Sequence, residues 1–286
     1  MYDVVRTFKP ENIDELLSLL EMYPDSVILS GGTDVMIRLK NRKLKEATLI
    51  YIREIPELNG ITIKDDGEIV IGSAVCFDDV YKNEVIKEHI PILSEACNTV
   101  GSPQIRNIGT IGGNICNGAV SADSVPSLLA LDAILEVRNK KGVKNIPITE
   151  FHTGPGKTVL EHGDVLISIH ITKASYDGYR GKYIKFGQRN SMEISTLGCA
   201  STVKVKDGRI ESLRLAFGVA APVPTRCRKL EESVKGMKLD DAFYSYIEDN
   251  VLSELSPRDS WRSSKELRVQ LIKTLSVRSI RQALEK

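Results

Sequence analysis

Apolar positions recur along the chain in blocks whose spacing changes. Ile13, Leu16, Leu17 and Leu20 keep the three- and four-residue spacing of one helix face. Pro10 predicts where that helix opens, since the first turn has no use for its missing amide. Val27, Ile28 and Leu29 read as a short buried strand that runs straight into Ser30-Gly31-Gly32-Thr33-Asp34. Val35, Met36 and Leu39 suggest a helical turn after that loop, and Thr48 to Ile52 another strand. The strand–loop–helix–strand unit predicts a small subdomain over about residues 1–54.

A more β-rich block follows. Ile61 to Ile63 and Ile69 to Ile71 flank Asp66-Gly67, a hairpin signal. A helix is expected from Pro91 through Leu93, Ala96 and Cys97. Residues 102–114, including Ile108-Gly109-Thr110-Ile111-Gly112-Gly113-Asn114, are polar and glycine-rich, and read as a loop. Pro126 opens a short helix with Leu128, Leu129 and Leu131, and strands are expected at Ile134 to Val137 and Val143 to Ile148. Phe151 to Thr158 reads as a special loop, and Val165 to Ile171 alternates as a strand. The pattern changes after Asp177-Gly178, which places a domain boundary there: 1–176 (subdomains about 1–54 and 55–176) and 177–286. The last part predicts three strands, Tyr183 to Phe186, Ser201 to Val205 and Ser212 to Phe217, with a turn at Asp207-Gly208. A terminal helix has Ser263 and Glu266 as a capping box and Leu267, Leu271, Leu275, Ile280 and Leu284 on one face. Trp261, Arg258 and Arg262 are expected to anchor it.

Composition narrows the class. With 286 residues, 42% apolar, 27% charged and a net charge of +1, the chain is an ordinary globular protein of two or three domains. It lacks the basic stripe of a nucleic-acid binder and any apolar run able to span a bilayer. The N-terminal residues do not form a signal-peptide pattern, so a cytoplasmic location is expected. The cysteines (Cys76, Cys97, Cys116, Cys199, Cys227) are scattered, which excludes a disulfide framework or an iron–sulfur ligand set. The four histidines show no metal-ligand spacing, and His152 reads as a surface residue, with a place lining a cofactor as the other reading.

Candidate chemistry sits in the glycine loops. A strand feeding side-chain-free backbone brings amides close to a phosphate, and Ser30 to Val35 fits that use, with the Thr33 hydroxyl as a further donor; the other reading is a plain turn. The spacing is not that of a Rossmann fingerprint. Asp34 either braces the loop or caps the next helix. Thr110-Ile111-Gly112-Gly113-Asn114 repeats the same residue types, with a plain turn again as the other reading. Asp123 either takes a ribose hydroxyl or caps the Pro126 helix. Gly154-Pro155-Gly156-Lys157-Thr158 is not a P-loop, because Phe151 stands where the first glycine belongs and Pro155 removes an amide.

Six stretches in order resemble the FAD-binding medium subunits of the molybdenum hydroxylases, on the branch of the bacterial three-subunit xanthine dehydrogenases. They are residues 29–34, 101–107, 110–118, 151–157, 215–222 and 260–266. The resemblance implies an α+β fold. It would have a PCMH-type (vanillyl-alcohol-oxidase-like) FAD domain of two α/β subdomains, then a C-terminal domain of three strands and helices. It also implies non-covalent FAD held by Val27, Ile28, Leu29, Ser30, Gly31, Gly32, Thr33 and Asp34, and by Ile108, Gly109, Thr110, Ile111 and Gly112, with Gly113 and Asn114 adjacent. On the same ground Asp123 falls near the adenosine portion, and Val165, Ile184 and Lys185 near the isoalloxazine end. The family's partners would be a molybdopterin-binding large subunit and a small [2Fe–2S] subunit, with NAD+ as co-substrate and xanthine or hypoxanthine as substrate. Thr33-Asp34 departs from the Gly-Gly-His-Ser of carbon monoxide dehydrogenases, and no extra iron–sulfur loop of the 4-hydroxybenzoyl-CoA reductase type is readable. The competing readings are a hydroxylase of nicotinate or another N-heterocycle, and a non-catalytic nucleotide-binding scaffold.

Overall fold

The computed structural model describes residues 2–285. Its first unit is β1 (Val4–Phe8), α1 (Ile13–Met22), β2 (Val27–Leu29), α2 (Val35–Lys40) and β3 (Ala47–Tyr51). The strands form a parallel sheet in the order β1-β3-β2. Helix α1 starts three residues later than Pro10 suggested. Asn12 is the cap, its side chain accepting the Glu15 N–H at 2.9 Å. Ile13, Leu16, Leu17 and Leu20 are buried as their spacing predicts.

The second unit contains β4 (Ile61–Ile63), β5 (Ile69–Gly72), α3 (Phe77–Lys82), α4 (Glu84–His89), α5 (Pro91–Asn98), α6 (Pro103–Arg106), α7 (Ile111–Cys116), α8 (Ser124–Ala130), β6 (Ile134–Asn139) and β7 (Gly142–Pro147). It continues through α9 (Ile148–Phe151), β8 (His152–Gly154), β9 (Lys157–Thr158), β10 (Val165–Ile171) and α10 (Lys173–Tyr176). An antiparallel sheet in the order β4-β5-β10-β6-β7 is its frame. The expected loop 102–114 contains α6 and α7. Of the expected loop 151–158, Phe151 ends α9 and residues 152–158 fold as the small β8-β9 hairpin.

The last unit has four strands where three were expected: β11 (Arg180–Phe186), β12 (Leu197–Lys206), β13 (Arg209–Gly218) and the two-residue β14 (Thr225–Arg226). Helices α11 (Arg228–Ser233), α12 (Asp241–Asn250) and α13 (Lys265–Leu284) follow. The sheet is covered on both faces, so its strands read as near-continuous apolar runs. Cys199 and Val203 join the core that includes Leu271, Ile272 and Leu275 of α13. Ala200 and Ala216 join the core of the second unit. On that side Thr202 Oγ1 donates to the carbonyl of Ala130, the last residue of the wholly buried α8, at 3.1 Å.

The cap of α13 is Ser264, whose hydroxyl accepts the Leu267 N–H at 3.2 Å, one residue later than the Ser263 box. Leu267 lies exposed, while Arg268 is buried in its place. Trp261 is 84% exposed and does not anchor the helix. Among the described residues no helix is long and apolar enough to cross a membrane.

Candidate functional site

A cleft of about 770 Å³ lies between the first two units, within the range of small-molecule and cofactor sites. Its walls come from the end of β2 and the loop after it, the start of α7, the turn after β5, and the first residues of β10. Of the residues expected around the cofactor, Val27, Ile28, Ser30, Gly31, Gly32, Thr33 and Asp34 line it. So do Thr110, Gly112, Gly113, Asn114 and Val165.

The two glycine loops are built differently. Gly31 is pressed against the second loop: a Cβ there would sit 2.0 Å from the Ile108 carbonyl oxygen and 2.9 Å from the Gly109 Cα. Gly32 has φ +74°, a conformation glycine takes without steric cost. Between them the chain turns so that the amides of Gly31, Gly32, Thr33 and Asp34 have no protein acceptor among the described residues. The second loop instead spends its amides internally. Ile111 N–H donates to the Val75 carbonyl at 3.0 Å, Gly112 N–H to the Ser73 carbonyl at 2.9 Å, and Gly113 N–H to Thr110 Oγ1 at 3.2 Å. Thr110 is the N-cap of α7, so the Thr-Ile-Gly-Gly-Asn stretch is a capped helix start bonded to the turn after β5, not a second open nest.

The remaining expected residues have other places. Leu29 packs with Leu39, Ala47 and Leu49 under the first loop. Ile111 is fully buried, and Ile108 and Gly109 form the backbone ledge that Gly31 meets. Asp123, Ile184 and Lys185 do not line the cleft. Asp123 occupies the N-cap position of α8 without a capping bond. Its carboxylate instead accepts from Lys185 Nζ at 2.7 Å, from Tyr183 Oη at 2.9 Å and from Ser195 Oγ. Ile184 faces the C-terminal core. Asp34 is exposed and makes no capping bond either.

Several lining groups carry no local sequence signal. Arg38 and Lys43 bring two cations to the first loop's end of the cleft. They stand six and eleven residues past the double glycine. Ser73 and Phe77 reach the cleft only through the β5–α3 connection. The hydroxyls of Ser30 and Ser73 are shielded from water and bond no protein group. Buried polar atoms ordinarily have partners. Two orphan hydroxyls, four open amides and two cations fit a ligand rich in anionic and polar oxygen, as a flavin dinucleotide is. Cys116 also lines the cleft, but burial pushes its thiol up to about 12, so it is no nucleophile.

His152 is buried beside this site, contrary to the surface position expected. Its Nε2 lies 3.1 Å from the Ile115 carbonyl in α7. Burial holds its pKa below the ordinary 6.5. The unfolded chain therefore binds a proton near 6.5 that the folded chain refuses. Stability should be full above that pH and decline as pH falls below it, levelling off once the folded ring also protonates. Urea midpoints of wild type and His152→Gln between pH 7.5 and 5 check this: the variant should lack the part of the acid decline that belongs to this ring.

Fold and cleft together define a cofactor-binding subunit of two dissimilar domains. The chain belongs to the FAD-binding medium subunits of the molybdenum hydroxylases. Residues 3–173 match the family described as the FAD binding domain in molybdopterin dehydrogenase, and residues 182–283 the CO dehydrogenase flavoprotein C-terminal domain. Within the family it is xanthine dehydrogenase-like. It is 39% identical to the xanthine dehydrogenase FAD-binding subunit of Escherichia coli O157:H7, covering 99% of this chain and 97% of that one. The nicotinate dehydrogenase FAD-subunit of Eubacterium barkeri is 30% identical over 91% of this chain and 90% of its own length. In fold, the chain matches a subunit of carbon monoxide dehydrogenase from Hydrogenophaga pseudoflava with a TM-score of 0.94 at 24% identity, covering 100% and 99% of the two chains.

Proposed function

We propose that the cleft holds FAD without a covalent link and that this chain is the electron-transferring subunit of a molybdenum-dependent xanthine or hypoxanthine dehydrogenase. Electrons would arrive from [2Fe–2S] clusters on a small partner subunit, having left the substrate at a molybdopterin on a large one, and would leave to NAD+. The observation that carries the reading is the convergence of the open amides of residues 31–34 with Arg38, Lys43 and the orphan hydroxyls of Ser30 and Ser73.

FAD, when bound, supplies the redox chemistry itself. The chain's work is placement. The first loop would take the pyrophosphate on backbone amides and the Thr33 hydroxyl, with Arg38 and Lys43 balancing its charge. Asn114 and Thr110 would fix the opposite side, and Val27, Ile28 and Val165 give the apolar walls that keep water out. Asp123 and Lys185 neutralise one another and support the segment after α7; they hold the site's shape rather than touch the cofactor. No side chain here needs to shuttle a proton, because hydride transfer depends on positioning. Five unpaired thiols suit a reducing compartment, in keeping with a cytoplasmic enzyme.

The purified chain should be yellow, release FAD on heating and support NADH-dependent dye reduction. A colourless protein that cannot be reconstituted with FAD would leave only a scaffold role. The greater likeness to a xanthine dehydrogenase subunit favours purines over nicotinate. Turnover of the whole complex on hypoxanthine, xanthine and nicotinate decides between them. Gly32→Val forces a β-branched residue into a positive φ, at a cost of roughly 1–2 kcal/mol, and sets its Cβ 3.2 Å from Leu29 Cδ1. Flavin content per chain should fall severalfold in that variant; full occupancy with normal dye reduction would remove this loop from the cofactor site.

A further inference from the structure

A second, smaller recess opens where the first domain meets the C-terminal one. Its volume is about 70 Å³. A water needs roughly 10–15 Å³ on this measure, so the recess has the scale of a single tetrahedral oxyanion. Arg258, Arg262 and Arg268 line it, together with Ser121, Ser195 and Ser260.

The charge in this recess is unbalanced. Arg268 is only 2% exposed. Its guanidinium donates to the Thr196 carbonyl at 3.3 Å, to Ser260 Oγ at 2.7 Å and to the Arg258 carbonyl, all neutral acceptors. None of the three arginines forms an ion pair among the described residues; Arg262 merely stacks on the exposed Trp261 ring, 4.2 Å from its centroid. Asp259 is near, but its Oδ1 accepts the Lys265 N–H at 2.8 Å, at the start of α13. Burial and the charge of Arg258 lower the proton affinity of Arg268, Asp259 offsets part of this, and Arg262 adds to it. A buried guanidinium facing two more cations is costly unless an anion joins them. The fork geometry of arginine favours phosphoryl oxygens.

The recess is coupled to the larger cleft through one short segment. Asn114, which lines the cleft, accepts from Ser124 Oγ at 2.7 Å. The adjacent Asp123 accepts from Ser195 Oγ, and Ser195 lines the recess. We propose that this recess is an oxyanion subsite that holds one phosphoryl group beside the cofactor cleft. The group would be either inorganic phosphate or a phosphate of a nucleotide docking against the C-terminal domain. The anion site itself does not depend on what fills the larger cleft.

Calorimetric titration of the full chain with phosphate and pyrophosphate, at ionic strength matched with chloride, tests it. Saturable binding of at least one is expected, weakened tenfold or more in Arg258→Gln/Arg262→Gln. Neither guanidinium makes a hydrogen bond or ion pair among the described residues, so the variant should fold even if Arg268→Gln does not. Absence of saturable binding, or equal binding by the double variant, would overturn the proposal. Flavin absorbance measured alongside separates this site from the cleft: loss of phosphate binding at full flavin content locates the effect here. Competition of phosphate with NADH in dye reduction would identify a nucleotide as the source, and phosphate binding that leaves the KM for NADH unchanged would identify the free ion.

Discussion

Alanine at position 31 is expected to abolish flavin occupancy and to lower the melting temperature at the same time. The added Cβ would lie 2.0 Å from the Ile108 carbonyl oxygen, 2.8 Å from its carbon and 2.9 Å from the Gly109 Cα. All three atoms are backbone, so no rotamer change relieves the contact, and the two loops must part. Overpacking of this kind costs about 1–3 kcal/mol, and the displacement falls on the loop whose residues line the cleft. Gly32→Val acts through local strain, whereas Gly31→Ala moves one wall of the site away from the other. Flavin absorbance per chain and a thermal scan measure both effects. Stoichiometric flavin in the alanine variant would mean that this loop contact is dispensable.

The second large effect is expected at the Asp123–Lys185 pair. Their side chains are 8% and 13% exposed, so solvent screens little of the 2.7 Å contact. Asp123→Leu leaves the Lys185 ammonium with only the Thr99 carbonyl, at 3.0 Å, and strips an acceptor from Tyr183 and Ser195. Removing one member of a buried pair costs roughly 3–5 kcal/mol, which in a protein of this size lowers the melting temperature by about ten degrees. The double variant Asp123→Leu/Lys185→Met should recover a good part of the loss, because it leaves no uncompensated charge. A single variant that melts within a degree or two of wild type would show that the pair is not a brace.

These two sites also mark how far the sequence could be read. Helix α1, the β4–β5 hairpin and the β12–β13 turn follow from periodicity and turn chemistry acting locally. Strand β1 does not: its residues are mostly exposed, and its parallel partner β3 lies some forty positions on. Helices α6 and α7 have four and six residues, too few for a period to register. The double glycine at 112–113 looked like a twin of the one at 31–32, since residue types alone do not say which amides are already used. The resemblance placed both loops at one cofactor, and the cleft does bring them together. It also named Asp123 and Lys185, which pair with each other outside the cleft lining. Arg38, Lys43, Ser73 and the buried position of His152 depend on tertiary placement and left no local trace.

The cluster under α1 contains Ile13, Leu16, Leu17 and Leu20 from the first unit, but also Ala74, Val165 and Ile167 from the second. Val165 belongs to this cluster and to the cleft wall at once. The two halves of the seat therefore share one interior. Because Val165 belongs to both, a dinucleotide seated in the cleft is expected to raise resistance to unfolding of the packing behind it as well as of the loops that touch it.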